Sequence, residues 1–301
     1  MKNQSDFTGK MASSSFLPEF FPDSRMREGG GQTSLFPSRA GRIQALTQAK
    51  ETIMDNEQIL RIALEQSARD LNCAPDDFLG SEPVFTSSAV SPQARRYRAA
   101  PIACNLASYG NNVVAAVQDE YRAIVAEYLT RQEWYQSFET PYLHWLDDRL
   151  APFGQRSRYM AQYYLPDVNR LKPLVCPYRL ELLSPADFSG LYLPQWSNAL
   201  CEKRRQLDVL AVGAYDGETL VGLAGCSADC DTMWQIGVDV LPAYRRRGIA
   251  SALTSRLALE TFARGRVPFY CAAWSNLRSA KNALRCGFAP AWVELTFKPE
   301  A

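Results

Sequence analysis

The run Val238-Asp239-Val240-Leu241-Pro242-Ala243-Tyr244-Arg245-Arg246-Arg247-Gly248-Ile249-Ala250 constrains this chain most. Ile236, Val238 and Val240 alternate as β-branched residues, which predicts a buried strand ended by Pro242. From Ile249 onward the period changes. Ile249, Leu253 and Leu257 recur at helical spacing, with Arg256, Glu260 and Arg264 as the opposing polar stripe. Gly265 follows as a helix stop. The run therefore predicts strand, short turn, then a helix opened by a glycine.

A helix N-terminus carries free backbone N–H groups and a partial positive charge. Gly248 and Ala250 let a ligand approach that backbone, and Arg245, Arg246 and Arg247 add charge beside it. Residues 245–251, including Ile249 and Ser251, are thus expected to form an anion cradle suited to a pyrophosphate. The Gly-Lys-Ser/Thr ending of a phosphate loop is missing, and so is a three-glycine dinucleotide fingerprint.

The segment resembles the acetyl-CoA motif of the GCN5-related N-acetyltransferases (GNAT), Arg/Gln-x-x-Gly-x-Gly/Ala, with Arg245, Gly248 and Ala250 in those places. The context extends the resemblance to about residues 177–297. A strand over Val267–Ala273 follows, then Asn276 opens a helix that ends in Gly287-Phe288, the family's other common pattern. The resemblance implies a mixed, mostly antiparallel twisted α/β sheet flanked by helices. It also implies a pantetheine arm lying between two splayed strands, 234–240 and 267–273. Backbone groups of Val238 and Val240 would then hold the arm, and Asn276 would contact the cofactor.

Bulk properties are ordinary. The chain has 301 residues, 47% hydrophobic and 22% charged, with net charge +1. That balance gives no reason to expect nucleic acid or an anionic membrane as partner. No apolar run reaches the ~18 residues of a spanning helix, and no secretory leader is expected. A cytoplasmic setting, with the eight cysteines as free thiols, follows as the expectation. Cys226 and Cys230 could suggest a metal, but one histidine, His144, and no second cysteine pair favour two unrelated thiols. No metal is expected.

Residues 1–53 carry Ser13-Ser14-Ser15, Gly29-Gly30-Gly31 and no sustained periodicity, and read as a disordered tail. Met54 precedes a patterned segment and is a candidate start. Residues 54–170 are expected as a smaller α/β domain, degenerate and GNAT-like, with no phosphate cradle. Its expected helices are 57–72, 118–130 and 140–150, and its strands 101–108, 112–117 and 158–165. Pro75–Ala94 reads as loop. The Pro-containing segment 171–177 is the expected junction to a GNAT-like domain over 171–301. There Ser184-Pro185 and 196–206 read as helices, and Asp216-Gly217 as a hairpin turn.

Asp239 interrupts the apolar strand. It is either a general base or acceptor anchor, or a structural carboxylate satisfied by its neighbours. The tyrosine that the family uses to protonate the leaving thiolate is replaced by Ala283, four residues before Gly287. Tyr270, Cys271 and Ser275, near the end of the second central strand, are the candidate replacements; packing and capping are their other readings. Trp234 and Trp274 are expected to flank the cleft. The function expected is an acetyl-CoA-dependent N-acetyltransferase acting on a primary amine of a small molecule or protein. The alternative is a non-catalytic acyl-CoA-binding regulatory module. A homodimer stays open.

Overall fold

The computed structural model of the chain describes residues 54–98 and 100–299. The tail expected over 1–53 lies outside the described residues. Among the described residues ten strands build one sheet: β1 (Val84–Ser87), β2 (Cys104–Ser108), β3 (Val114–Val117), β4 (Gln155–Pro166), β5 (Arg179–Leu183), β6 (Asp208–Asp216), β7 (Thr219–Ser227), β8 (Met233–Val240), β9 (Val267–Ala273) and β10 (Phe288–Pro299). Their order is β1-β3-β2-β10-β4-β9-β8-β7-β6-β5. Only β1–β3 and β8–β9 pair in parallel; the other neighbours are antiparallel. The helices are α1 (Asn56–Leu71), α2 (Arg122–Thr130), α3 (Thr140–Leu150), α4 (Ile249–Phe262) and α5 (Leu277–Arg285).

Local rules explain most of these elements. Asp55 caps α1 through a reciprocal capping box with Gln58. The β6–β7 hairpin turns at Gly217, whose φ is +59°. The stop after α4 is Gly265 at φ +67°. Three expectations fail. The loop read over Pro75–Ala94 contains β1, a four-residue strand too short to show a period. The Ser184-Pro185 helix is a single 3-10 turn, Pro185–Asp187. The 196–206 helix is replaced by two short 3-10 turns, Pro194–Trp196 and Glu202–Leu207. Between them the backbone N–H groups of Asn198 and Ala199 go to Asp239, not to carbonyls one turn back.

The segment 171–177, expected to join two domains, does not divide the sheet. Strand β4 comes before it, yet lies between β9 and β10, which come after it. One face of the sheet carries α4 and α5, packed on Val212, Val221, Ile236, Tyr164 and Tyr270, and continues under α2 and α3 around Leu106, Leu295 and Phe297. The other face carries α1 on Tyr163, Phe269 and Trp292. A buried ion network fastens that layer. Arg95 pairs with Asp70, and Arg98 Nη2 donates to Glu294 Oε2 at 2.7 Å, tying the 95–98 segment to α1 and β10.

Candidate active site

Strands β8 and β9 separate in mid-sheet. Their pairing runs from Met233–Val267 to Ile236–Tyr270 and stops. Beyond it, Gly237–Val240 pair only with β7, and Cys271–Ala273 only with β4. Because Leu241 N–H donates to Val221 O, residues 237, 239 and 241 aim their backbone groups at β7. Those of Val238 and Val240 therefore turn into the split. The Val240 carbonyl there accepts from Arg245 Nε at 3.0 Å. Both valines line the resulting cleft.

The split opens into a cleft of about 1300 Å³ that is lined from both faces of the sheet. On the helix-bearing face stand Val238, Val240, Gly248, Ile249, Ala250, Ser251, Tyr270 and Asn276. On the opposite face stand Gln235, Asn198, Asp239, Cys271 and Tyr159, the last from β4. The passage through the sheet lets a group held on one side meet a reactant on the other.

The mouth is cationic. Arg245, Arg246, Arg278, Lys281 and Arg285 all line it. The turn before α4 is tightly bent: Arg246 sits at φ +64° and Gly248 at φ +80°, both left-handed. A Cβ built on Gly248 would meet no protein atom within 4 Å. Packing therefore does not require glycine there; the backbone conformation does, and its side is left clear for a ligand. Arg247 departs from expectation. Its guanidinium bonds Tyr178 Oη at 2.5 Å and Ala243 O at 3.2 Å and lies over the Tyr244 ring, away from the cleft lining. The sequence reading missed Arg278, Lys281 and Arg285. Their spacing along α5 puts them on one helix face, a signal that was available.

The catalytic candidates part company. Asp239, half-buried, accepts from Asn198 N at 2.8 Å, Asn198 Nδ2 at 2.6 Å and Ala199 N at 3.0 Å. Its oxygens are committed to holding a loop. Tyr270 Oη pairs with Ser279 Oγ at 2.9 Å, one helical turn before the buried Ala283. Burial raises the Tyr270 phenol above its ordinary range, so it stays protonated at neutral pH. Cys271 lies at the base of the split, with Gln235 Nε2 at 3.1 Å and Tyr159 Oη at 3.8 Å from its sulfur; burial pushes its thiol up to about 11. Ser275 is exposed and does not line the cleft. Asn276 does, and its side chain caps α5 by accepting from Ser279 N at 3.2 Å. Trp234 packs partly into the core, Trp274 is exposed, and neither lines the cleft. His144 is exposed on α3, remote in sequence and element from the split.

Residues 178–288 match the model of the acetyltransferase (GNAT) family. This part of the chain is a GNAT domain. Its sheet, splayed strands and glycine-headed helix are the parts that the sequence resemblance led one to expect, and acetyl transfer is the activity of that family. Among solved structures, a GNAT-family acetyltransferase from Novosphingobium aromaticivorans aligns at 20% identity over 49% of this chain and 69% of its own, with a TM-score of 0.38. A GCN5-related N-acetyltransferase-like protein from Streptococcus suis aligns at 21% identity over 52% and 68%, TM-score 0.40. A Drosophila protein aligns over 88% of this chain and 98% of its own at 13% identity, TM-score 0.42. No curated protein matches the chain. Among the described residues, no helix is long and apolar enough to cross a membrane, and no group of three or more His, Cys, Asp and Glu is placed to hold a metal ion.

Proposed function

We propose that the chain transfers the acetyl group of acetyl-CoA to an amine. The observation that carries this reading is the cleft itself: a parallel strand pair that parts after Ile236 and Tyr270, with the Gly248-headed helix α4 and a cationic rim at one mouth. Arg245, Arg246 and the N–H groups at the start of α4 would hold the pyrophosphate, with Arg278, Lys281 and Arg285 supplying further positive charge. The inward backbone groups of Val238 and Val240 would hold the pantetheine arm and polarise the acetyl carbonyl. Asn276 lies at the same wall.

The amine enters from the opposite face, where Tyr159 of β4 reaches the cleft. Residues 54–170 thus contribute to the acceptor side. The nitrogen lone pair attacks the thioester carbonyl carbon, an N–C bond forms and the C–S bond breaks. The sulfur leaves as thiolate and ends protonated, so one amine N–H proton is lost and one thiol S–H is gained. Tyr270, kept protonated and joined to Ser279, is the proton donor on the cofactor side. Its replacement by Phe should then slow thiol release without weakening acetyl-CoA binding. The reading is tested by following thiol release from acetyl-CoA with an amine panel. Amine-dependent release above the water background supports it. Tight acetyl-CoA binding with no amine-dependent release overturns it.

A further inference from the structure

The acceptor side of the cleft holds hydrogen-bonding groups and one carboxylate, that of Asp239, whose oxygens are taken up by a neighbouring loop. Asp239 is occupied by three donors from Asn198 and Ala199. Glu294 accepts from Arg98 and from Trp292 Nε1 at 3.0 Å. Asp70 is bound by Arg95, and Asp229 by Arg204 at 2.8 Å. The other titratable groups that line this side are the Cys271 thiol and the Tyr159 phenol, both pushed up by burial. Among the described residues that line this side, the one carboxylate is Asp239, already held by three donors, and Asp208, whose carboxyl burial pushes up to about 6, lies on the same face two strands from Gln235 without lining the cleft.

What the wall does offer is an aromatic ring and neutral polar atoms. Tyr159 is 42% exposed on the cleft side of β4. Its hydroxyl and the Gln235 amide converge on Cys271, the first residue of β9 past the last pair with β8. This is the point where the passage crosses the sheet. A flat ring can lie on Tyr159, and a neutral nitrogen can sit among the amide, thiol and hydroxyl.

We propose that the acceptor is an arylamine, bound as its free base with the ring against Tyr159 and the nitrogen at Gln235 and Cys271. The proposal rests on the acetyl-transfer reading above. It removes the need for an enzymic base before attack. An arylamine is already uncharged at neutral pH, whereas an alkylamine such as a lysine side chain is well under about 1% free base at pH 7. The proton lost after attack leaves the cationic adduct, which is strongly acidic, and passes to solvent or to the thiolate.

The test uses the full chain with acetyl-CoA and two acceptors of similar shape, aniline and benzylamine. Aniline is expected to have a kcat/KM at least about tenfold higher at pH 7 and to be flat from about pH 6 to 8, because its free base dominates throughout. Benzylamine is expected to rise about tenfold per pH unit over the same range. Tyr159→Ala and Gln235→Leu should raise the KM for aniline several-fold while acetyl-CoA affinity by calorimetry stays within about twofold. Benzylamine turnover equal to that of aniline at pH 7, or a benzylamine profile that levels off at an enzyme pKa below 8, overturns the proposal. Acetyl-CoA binding with no aniline turnover overturns it too. Failure to bind acetyl-CoA instead sinks the transferase reading on which it stands.

Discussion

Asp239 Oδ2 accepts the backbone N–H of Asn198 at 2.8 Å, which locks the 198–199 segment flat against the sheet beside the split. Its other oxygen takes the Asn198 side-chain amide. The carboxylate in mid-strand is therefore a clamp. Asp239→Ala would strand the Asn198 and Ala199 amides and should cost about 1–3 kcal/mol of folding stability. Chemical denaturation measures that loss. The shape of the kcat/KM pH profile should not change. A stable variant whose rate falls a hundredfold or more would restore Asp239 as a base.

The same segment sets a steric requirement. A Cβ on Gly237 would lie 1.8 Å from Asn198 O, and one on Gly225 would lie 2.0 Å from Ala199 O. Neither glycine has a positive φ; both are needed for close approach. Gly237→Ala should destabilise the protein by about 1–3 kcal/mol through overpacking, or more if the loop detaches. Gly190→Ala, where nothing lies within 4 Å, is the control. Equal midpoints in urea for the two variants would mean that the loop does not press on the sheet.

The strand–turn–helix unit was legible because its determinants are local. Alternation at Ile236, Val238 and Val240, the stop at Pro242 and the period from Ile249 all act within a few residues. The place of Arg245, Gly248 and Ala250 on the cleft lining follows from that unit. Arg247 did not, because its direction is set by Tyr178, which lies 69 residues away in sequence. The 196–206 stretch has helical spacing, but the Asp239 carboxylate takes the N–H groups of Asn198 and Ala199. The place of β4 was likewise hidden. Residues 158–165 read correctly as a strand, but pairing with β9 and β10 is a long-range choice with no local mark.

That pairing yields a prediction about fragments. Residues 172–301 alone would lack β4, which is paired with β9 on one side and β10 on the other. The fragment would expose both strand edges and the apolar faces of Tyr270 and Phe288. It should show no cooperative thermal transition. A sharp transition and a dispersed amide spectrum for the fragment would contradict the shared sheet.

Asp208 makes a pH prediction. Burial pushes its carboxyl up to about 6, although Cys201 N–H donates to it at 2.9 Å. The folded state then binds a proton more readily than the unfolded chain. The ionised form costs stability fully above about pH 6, and the cost disappears as the pH falls toward the unfolded value of about 4. Asp208→Asn should remove this contribution and gain about 1–3 kcal/mol at pH 7 relative to its effect at pH 4. Denaturation midpoints of both proteins at the two pH values measure it. A variant that loses stability equally at both would show that the carboxylate is needed as an acceptor.

The central claim is that the split between β8 and β9, headed by Gly248, holds acetyl-CoA. Isothermal titration calorimetry of acetyl-CoA against the full chain and against Gly248→Glu tests it most directly, with Gly248→Ala as the control for strain at φ +80°. The account predicts binding to the native chain, weaker binding to the alanine variant, and none detectable for glutamate, whose charge and bulk would stand where the pyrophosphate lies. Unchanged affinity in a folded Gly248→Glu protein would contradict it.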